Sequence, residues 1–537
     1  MHEEPEMNDI HQPSRADALS QALREVLPAD SVLDDAASRR FYANDVFWQP
    51  GIEPLAIVCP TDTAMLAAAV RTATSAGVAV VPRGGGMSYT KGYLPMHGGS
   101  IVIDCRRMNR VIEVNTDDLY VTAEAGCTWA AVAQALEGSG WRTPYWGPLS
   151  GINATVGGAL SQNSAFFGSA MNGTVAESVL GLTVVTANGN VTQTGSAGRI
   201  GTKPFTREGG PDLTGLFLGD NGAMGIKASA TIKLIPASGA TGFLSFGFSS
   251  IQTMAAAQTA MARERLIAEG FGIDRNKAEH SASVNRISEG LSILGKVAGS
   301  GKSTLGGLKD ALGVAVGGTG FLKEHAFTLH LVVERDNENE LSRAMARVRD
   351  LARTASGIEL PDSVPRVMRS RPFGPVRGML GRDGERWVPI HAVFPLGDAQ
   401  KVLAANQAFF EAQQPMMTQQ GIVYSVMTMT TGHEFFLEPA FYWMDEITPL
   451  HVASVGEDVV KPWMDRPANV EARESVARLR RATQELYASL GGVSWQVARD
   501  YPFLEILKPE TRALLEALKR AVDPKGLMNP GSLGLAQ

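Results

Sequence analysis

The placement of glycine constrains this chain more than any other feature. Three glycine-rich clusters fall in the first half. Arg83-Gly84-Gly85-Gly86 follows the strand-like run VAVVP, Gly147 to Gly173 follows a helix-like run, and Gly219 to Gly225 leads into the alternating run IKASATIKLIP. Glycine therefore marks the ends of elements and not linkers, where it lets backbone lie close against a ligand or a neighbouring chain segment. There are 57 glycines among 537 residues, against a usual share of roughly 7%. Three such loops, with the small-residue run Ser150, Gly151, Ala154, Thr155, Gly157 and Gly158, point to a long, extended ligand threaded between two sheets. Backbone N–H groups at such loops neutralise a diphosphate without crowding it. None of the loops has the G-x-G-x-x-G spacing, which argues against a Rossmann dinucleotide site.

Around the loops, hydrophobic periodicity predicts an orderly framework. IEPLAIVCP, GSIVIDC, RVIEVN and LYVTAEAG read as strands, and TAMLAAAVRTATSAG and TWAAVAQALEGSG as helices. LGLTVVTANGNVTQTG reads as a hairpin turning at Asn188-Gly189. Beyond about residue 238 the texture changes. Strand-like ATGFLSFGF, AFTLHLVVER, WVPIHAVFPL and VYSVMTMTTG alternate with amphipathic helices, as in an α+β unit with an antiparallel sheet. Helical ESVARLRRATQELYASLG and ETRALLEALKRAV close the chain. The expected division is 1–238, 239–487 and 488–537, with the last segment returning to the first.

Several functions are disfavoured. The charge of −6 argues against nucleic-acid binding. No apolar run approaches the roughly 20 residues of a membrane span, and the acidic start lacks a signal-like core. Three unpatterned cysteines, Cys59, Cys105 and Cys127, fit a reducing, cytoplasmic setting. Gly299-Ser300-Gly301-Lys302-Ser303-Thr304 imitates a phosphate loop, but Lys296 stands where its first glycine belongs. The scattered histidines, among them His325, His330, His433 and His451, give no metal spacing, so no metal is expected. No G-x-S-x-G elbow supports serine-hydrolase chemistry. Arg366, Arg369, Arg371, Arg377, Arg382 and Arg386 form a basic stretch, read as a solvated connector or as a lining for an anionic substrate.

Pro82-Arg83-Gly84-Gly85-Gly86-Met87-Ser88 resembles the diphosphate loop of the vanillyl-alcohol oxidase/p-cresol methylhydroxylase (PCMH-type) flavoprotein superfamily. Asp212-Leu213-Thr214-Gly215-Leu216-Phe217 through Gly222-Ala223-Met224-Gly225-Ile226 resembles its D-L-x-x-L-F-x-G-x-x-G-x-x-G-I signature. Asp523-Pro524-Lys525-Gly526-Leu527-Met528-Asn529-Pro530-Gly531 resembles its C-terminal segment. The resemblance implies a two-part FAD domain, a cap domain between its parts, and FAD lying extended with its ring at their interface. It implies FAD contacts from Pro82, Arg83, Gly84, Gly85, Gly86, Met87 and Ser88. Further contacts are implied for Pro148, Leu149, Ser150, Gly151, Ala154, Thr155, Gly157, Gly158, Ser161, Asn163, Ser164 and Gly168. Gly222, Gly225, Ile226 and Asn529 complete the implied set. Where some relatives tether the flavin through a first-loop histidine this chain has Met87. In the cap stretch Thr431-Gly432-His433-Glu434-Phe435-Phe436 the tethering histidine falls on an aromatic. Non-covalent FAD is expected, with His433 the reserve candidate.

The hydroxy-acid branch carries G-H-x-G-D-G-N-x-H in its cap, and Gly432-His433-Glu434-Phe435 breaks that pattern. Met108-Asn109-Arg110-Val111-Ile112-Glu113-Val114-Asn115 resembles the matching run of 4-alkylphenol oxidases, which puts Tyr89 at their phenol-binding tyrosine. Phe166 stands for another tyrosine, Trp495-Gln496 for a Tyr-Arg pair, and Leu149 for an aspartate. Since a free phenol titrates near 10, loss of that arginine weakens phenolate activation. The implied reaction removes hydride from an aromatic alcohol or a benzylic, 4-substituted phenolic carbon to flavin N5. Tyr89 would orient the substrate oxygen, Gln496 would replace the arginine, and His433, Glu434 or Glu438 would accept the proton. Substrate contacts are expected from Tyr89, Phe166, Phe436, Tyr442, Trp443, Trp495 and Arg499, in a wall that also draws on Tyr145, Trp146, Phe167 and Phe441. Three alternatives stay open: a D-2-hydroxy-acid dehydrogenase holding carboxylate through Arg371, Arg377 or Arg499, ether or lyase-like flavin chemistry, and a flavin-binding protein without turnover. The resemblance implies oxygen or a redox carrier as acceptor and a homodimer or larger homo-oligomer.

Overall fold

The computed structural model describes residues 15–47, 52–280, 322, 324–374 and 379–535. The phosphate-loop imitation at 299–304, Lys296 and Arg377 lie outside the described residues. The fold is α+β, with three principal sheets. In the first, Ile57–Val58, Ser100–Asp104 and Ala79–Arg83 run parallel, and Val32–Leu33 pairs antiparallel at the edge. Helix Thr63–Ser75 makes the crossover that parallel strands require. Asp62 caps it by accepting from the Met65 N–H at 2.8 Å. Its Leu66, Ala69, Val70 and Ala73 fall on one buried stripe. The second sheet is antiparallel, in the order Val111–Asn115, Tyr120–Glu124, Ile226–Lys233, Val179–Val185, Val191–Gln193.

The third sheet has eight strands drawn from residues 240–443. Ala240–Phe248, Phe327–Arg335, Glu269–Asp274, Val423–Thr431 and Glu434–Trp443 run across it in that order, each antiparallel to the next. Helices Ile251–Arg263, Glu338–Thr354 and Ala399–Gln419 cover one face, where Met254, Val348 and Val402 meet Leu329, Leu331, Phe435 and Leu437 in one core. The other face looks toward the first two sheets. The chain then returns through helices Val470–Ser489 and Pro509–Val522, and Met528 bridges Val80 alongside the first sheet.

Three sequence expectations are corrected. WVPIHAVFPL is two strands, Arg386–Pro389 and Ala392–Pro395, both on Glu434–Trp443; Ile390 and His391 between them break the ladder. Strands Glu269–Asp274 and Glu434–Trp443 are absent from the sequence expectations: nearly continuous burial hides the alternation of Glu434–Trp443, and Glu269–Asp274 is short with two glycines among its six residues. The arginine stretch is not simply a solvated connector. Arg386 is fully buried and donates to the carbonyl of Phe47 at 2.8 Å. Arg369 spans Glu269 and Glu334, and Arg142 reaches the same Glu334. Trp146 Nε1 also donates to Glu269, at 3.2 Å, so this network ties the second glycine loop to the third sheet.

Candidate active site

One large cavity runs from the glycine loops to the open face of the third sheet. At the loop end, Pro82, Arg83, Gly84, Gly85, Gly86, Met87 and Ser88 line it. So do Pro148, Leu149, Ser150, Ala154, Thr155, Gly157, Gly158, Ser161, Ser164, Gly222, Gly225 and Ile226. No described residue accepts a hydrogen bond from the backbone N–H groups of Gly84 to Ser88. A run of unpaired donors against a cavity is an anion-binding nest, and it fits a diphosphate.

Many of these glycines face protein as well as cavity. A Cβ on Gly85 would collide with the Asn153 carbonyl, and one on Gly84 with Thr155 Oγ1. A Cβ on Gly222, at φ +74°, would lie 2.5 Å from Pro82 Cγ. Gly158 is the open one: its Cβ would meet only Thr155 Oγ1, at 3.1 Å. The loops are thus pressed against each other, and that contact shapes the cleft.

Four expected cofactor contacts do not line the cavity. Gly151 packs under the Phe373 ring, Gly168 sits at φ +82° against the Pro144 carbonyl, and Asn163 closes helix Val156–Gln162 at φ +47°. Asn529 is buried behind the cleft, where its amide donates to the carbonyls of Gly92 at 2.9 Å and Asn221 at 2.6 Å. Arg499 likewise does not line the cavity. Its guanidinium bonds Asn529 Oδ1 and the carbonyls of Lys91, Gly92 and Pro530. These two residues, with Lys519 bonding Asp523 and the carbonyls of Ala223 and Met528, anchor the C-terminal motif. Its conspicuous residues hold the loops in place.

The far end is a chamber of side chains. On strand Glu434–Trp443, alternation sends Phe436, Glu438 and Tyr442 into the cavity. It sends Phe435, Leu437, Phe441 and Trp443 into the cores on the opposite side. Trp443 packs edge-on to Phe47 and donates to Asp445 at 3.0 Å, and its ring does not line the chamber. Tyr145 donates to Ser164 at 3.0 Å, and Trp146 stacks on Phe167; none of these three rings lines the chamber. Phe166, Trp495 and Gln496 do, with Trp495 stacked on Phe436 at 5.4 Å. His391 lies behind that stack, accepting from the Trp495 N–H at 3.3 Å, and burial holds its pKa down at about 3.

Sequence reasoning missed Phe271, Met427, Met429, Trp387 and Lys277, which complete the lining. Met429 pairs with Phe436 and Met427 with Glu438 across neighbouring strands. Tyr89 meets Trp387 edge-on at 5.6 Å, and burial pushes its phenol well above the usual value. Glu438 and Lys277 are the charged side chains at this end. Burial pushes the Glu438 carboxyl up to about 7, while Lys277 pulls it the other way. Burial in turn lowers the Lys277 ammonium, opposed by Glu438 and Asp274.

The other two base candidates lie elsewhere. His433 is exposed in the turn after Gly432. Glu434, at the strand's start, accepts from Thr431 Oγ1 at 3.1 Å and does not reach the chamber. Arg371 is exposed. Among the described residues no group of His, Cys, Asp and Glu is arranged to hold a metal, and no helix is long and apolar enough to cross a membrane. All three cysteines are buried and unpaired.

Residues 54–195 match the family model described as FAD binding domain, and residues 501–533 that of the C-terminal domain of FAD linked oxidases. The glycolate oxidase subunit GlcD of Bacillus subtilis is 30% identical over 218 residues, covering 41% of this chain and 45% of that one. The mitochondrial D-lactate dehydrogenase [cytochrome] 1 of Saccharomyces cerevisiae is 27% identical over 232 residues, 42% and 38% of the two chains. The matched part is less than half the length of either relative. In fold, the chain is similar to 4-ethylphenol oxidase from Gulosibacter chungangensis (TM-score 0.69, 16% identity, 99% of each chain). It is also similar to p-cresol methylhydroxylase (TM-score 0.70, 16% identity, 98% of each chain). The two family matches contain the first two glycine loops and the returning C-terminal segment, and with the unpaired donors of the first loop they mark an FAD binding domain and the C-terminal domain of FAD linked oxidases in this chain, with FAD as its cofactor.

Proposed function

We propose that the chain is an FAD-dependent oxidoreductase acting on an alcohol or benzylic carbon of an aromatic substrate. One observation carries this reading: a buried carboxyl, Glu438, in a chamber whose wall is mostly apolar, with Phe166, Phe271, Phe436, Trp495, Met427 and Met429 in it. FAD, held along the glycine loops, supplies the two-electron oxidant. The aromatic wall takes the substrate ring and excludes water. Glu438 accepts the proton of the reacting hydroxyl, and a carboxyl near 7 suits a general base at neutral pH. Tyr89, protonated, donates to a substrate oxygen. Met87 in the first loop and an aromatic in the stretch 431–436, where the resemblance implies tethering histidines in some relatives, support non-covalent attachment.

A second reading, a D-2-hydroxy-acid dehydrogenase, draws on the two sequence relatives and on Lys277 as a partner for carboxylate. Anaerobic mixing with vanillyl alcohol or D-lactate separates them. The first reading expects the 450 nm band of FAD to bleach with the aromatic alcohol and persist with D-lactate. The reverse result selects the second, and bleaching by neither selects a protein without turnover.

A further inference from the structure

Lys277 has a property that Glu438 alone does not explain. It stands on the short helix Arg275–His280, beside strand Glu269–Asp274, and its side chain enters the chamber. Its Nζ lies 5.0 Å from the Trp387 ring centroid. No ion pair or hydrogen bond joins its Nζ to Glu438, to Asp274 or to any other described residue. Asp274 instead accepts from the Lys277 backbone N–H at 2.8 Å. The Glu438 carboxyl also lacks a hydrogen-bond partner, and Trp387 Nε1 is a buried donor with none. A cation in a largely apolar chamber with only an aromatic ring face beside it is costly unless an anion arrives to pair it.

We infer that Lys277 is a specificity-determining residue that selects substrates bearing an anionic oxygen, a carboxylate or an aryl oxide, and seats that oxygen against its ammonium. The inference rests on the chamber being the substrate site. It adds that the substrate has two oxygen functions: a hydroxyl that gives its proton to Glu438, and an anionic oxygen on Lys277. Glu438 and Lys277 form no ion pair and both line the chamber, so each is open to an oxygen of a ligand bound there. A neutral ligand of the same shape leaves the ammonium unpaired and binds less tightly.

The test is ligand binding to the FAD-loaded protein, followed by perturbation of the flavin absorption band. Benzoate represents the carboxylate, 4-nitrophenolate the aryl oxide and anisole the neutral ring. The wild type is expected to prefer at least one anion over anisole by on the order of ten- to a hundredfold, the range of a charge-assisted hydrogen bond. Lys277→Met is expected to abolish that preference while anisole binds as before, which also reports an intact chamber. Glu438→Gln, which removes the neighbouring negative charge, is expected to tighten the anion only. Preference for benzoate alone assigns the carboxylate, and for 4-nitrophenolate alone the aryl oxide. Equal binding of anisole and both anions, or an anion preference that survives Lys277→Met, overturns the role of Lys277 and leaves the aromatic chamber standing. Failure of all three ligands to perturb the flavin overturns both readings.

Discussion

At the FAD end of the cavity the wall is largely backbone, supplied by three short loops whose glycines interlock. At the substrate end it is side chains, brought by Tyr89, Phe166, Lys277, Trp387, Glu438 and Trp495 from six separate stretches of chain. An interlocked backbone tolerates almost no added atom, and it has a composition that can be read locally. A chamber of side chains tolerates substitution with little effect on the scaffold, so specificity resides there. Substitutions at the two ends are therefore expected to fail differently.

The largest effect is expected at Glu438. Glu438→Gln keeps the shape and the bound FAD, and it lowers the rate of anaerobic bleaching by about 10²–10⁴-fold, the worth of a general base. The same substitution has an opposite effect on stability. The Glu438 carboxyl titrates at 4.5 in the unfolded chain and about 7 in the fold. As pH rises between those values the unfolded chain loses the proton and the fold retains it, so stability is lost across that window. Above pH 7 the glutamine variant avoids this loss and is more stable, by on the order of 2 kcal/mol. Below pH 4.5 the gain vanishes. Thermal melts at pH 4 and pH 8 check the sign.

Next in size is Gly85→Ala, whose methyl group has no room beside the Asn153 carbonyl. It is expected to cost about 3 kcal/mol and to yield protein without FAD absorbance. Gly158→Ala sharpens the contrast, because that methyl enters the cleft. FAD affinity falls while the stability of the FAD-free protein, read from its thermal melt, stays within about 0.5 kcal/mol of wild type. A melting loss equal to that of Gly85→Ala contradicts the distinction between protein-facing and cavity-facing glycines.

At the chamber end, Phe166→Leu leaves FAD content unchanged. It shifts the ratio of bleaching rates for bulky and small aryl alcohols by about tenfold. The smallest effect is expected at His433, exposed in a turn. His433→Ala leaves the bleaching rate unchanged and stability within about 0.5 kcal/mol; a tenfold loss of rate reinstates it as a site residue.

The same contrast explains what the sequence revealed. Loops 84–88 and 219–226 were legible because each is contiguous and its glycines have a backbone reason to be there. Asn529 and Arg499, expected as ligand contacts, bond neighbouring loops and do not line the cavity: a conspicuous motif residue has the same appearance in sequence whether it touches a cofactor or holds the loop that does. Glu438 was one of three candidate bases until the register of Glu434–Trp443 placed it on the cavity side and Trp443 on the other. Lys277 had no signal of its own. Its significance comes from lying opposite Glu438 and Trp387, more than a hundred residues away along the chain, and only the antiparallel order of the third sheet brings them together.

The most direct test of the account is the pH dependence of anaerobic FAD bleaching by vanillyl alcohol, in the wild type and in Glu438→Gln. The account predicts a wild-type rate that rises as pH passes through about 7 and a variant whose slow rate lacks that rise. The same rising limb in both proteins would contradict it.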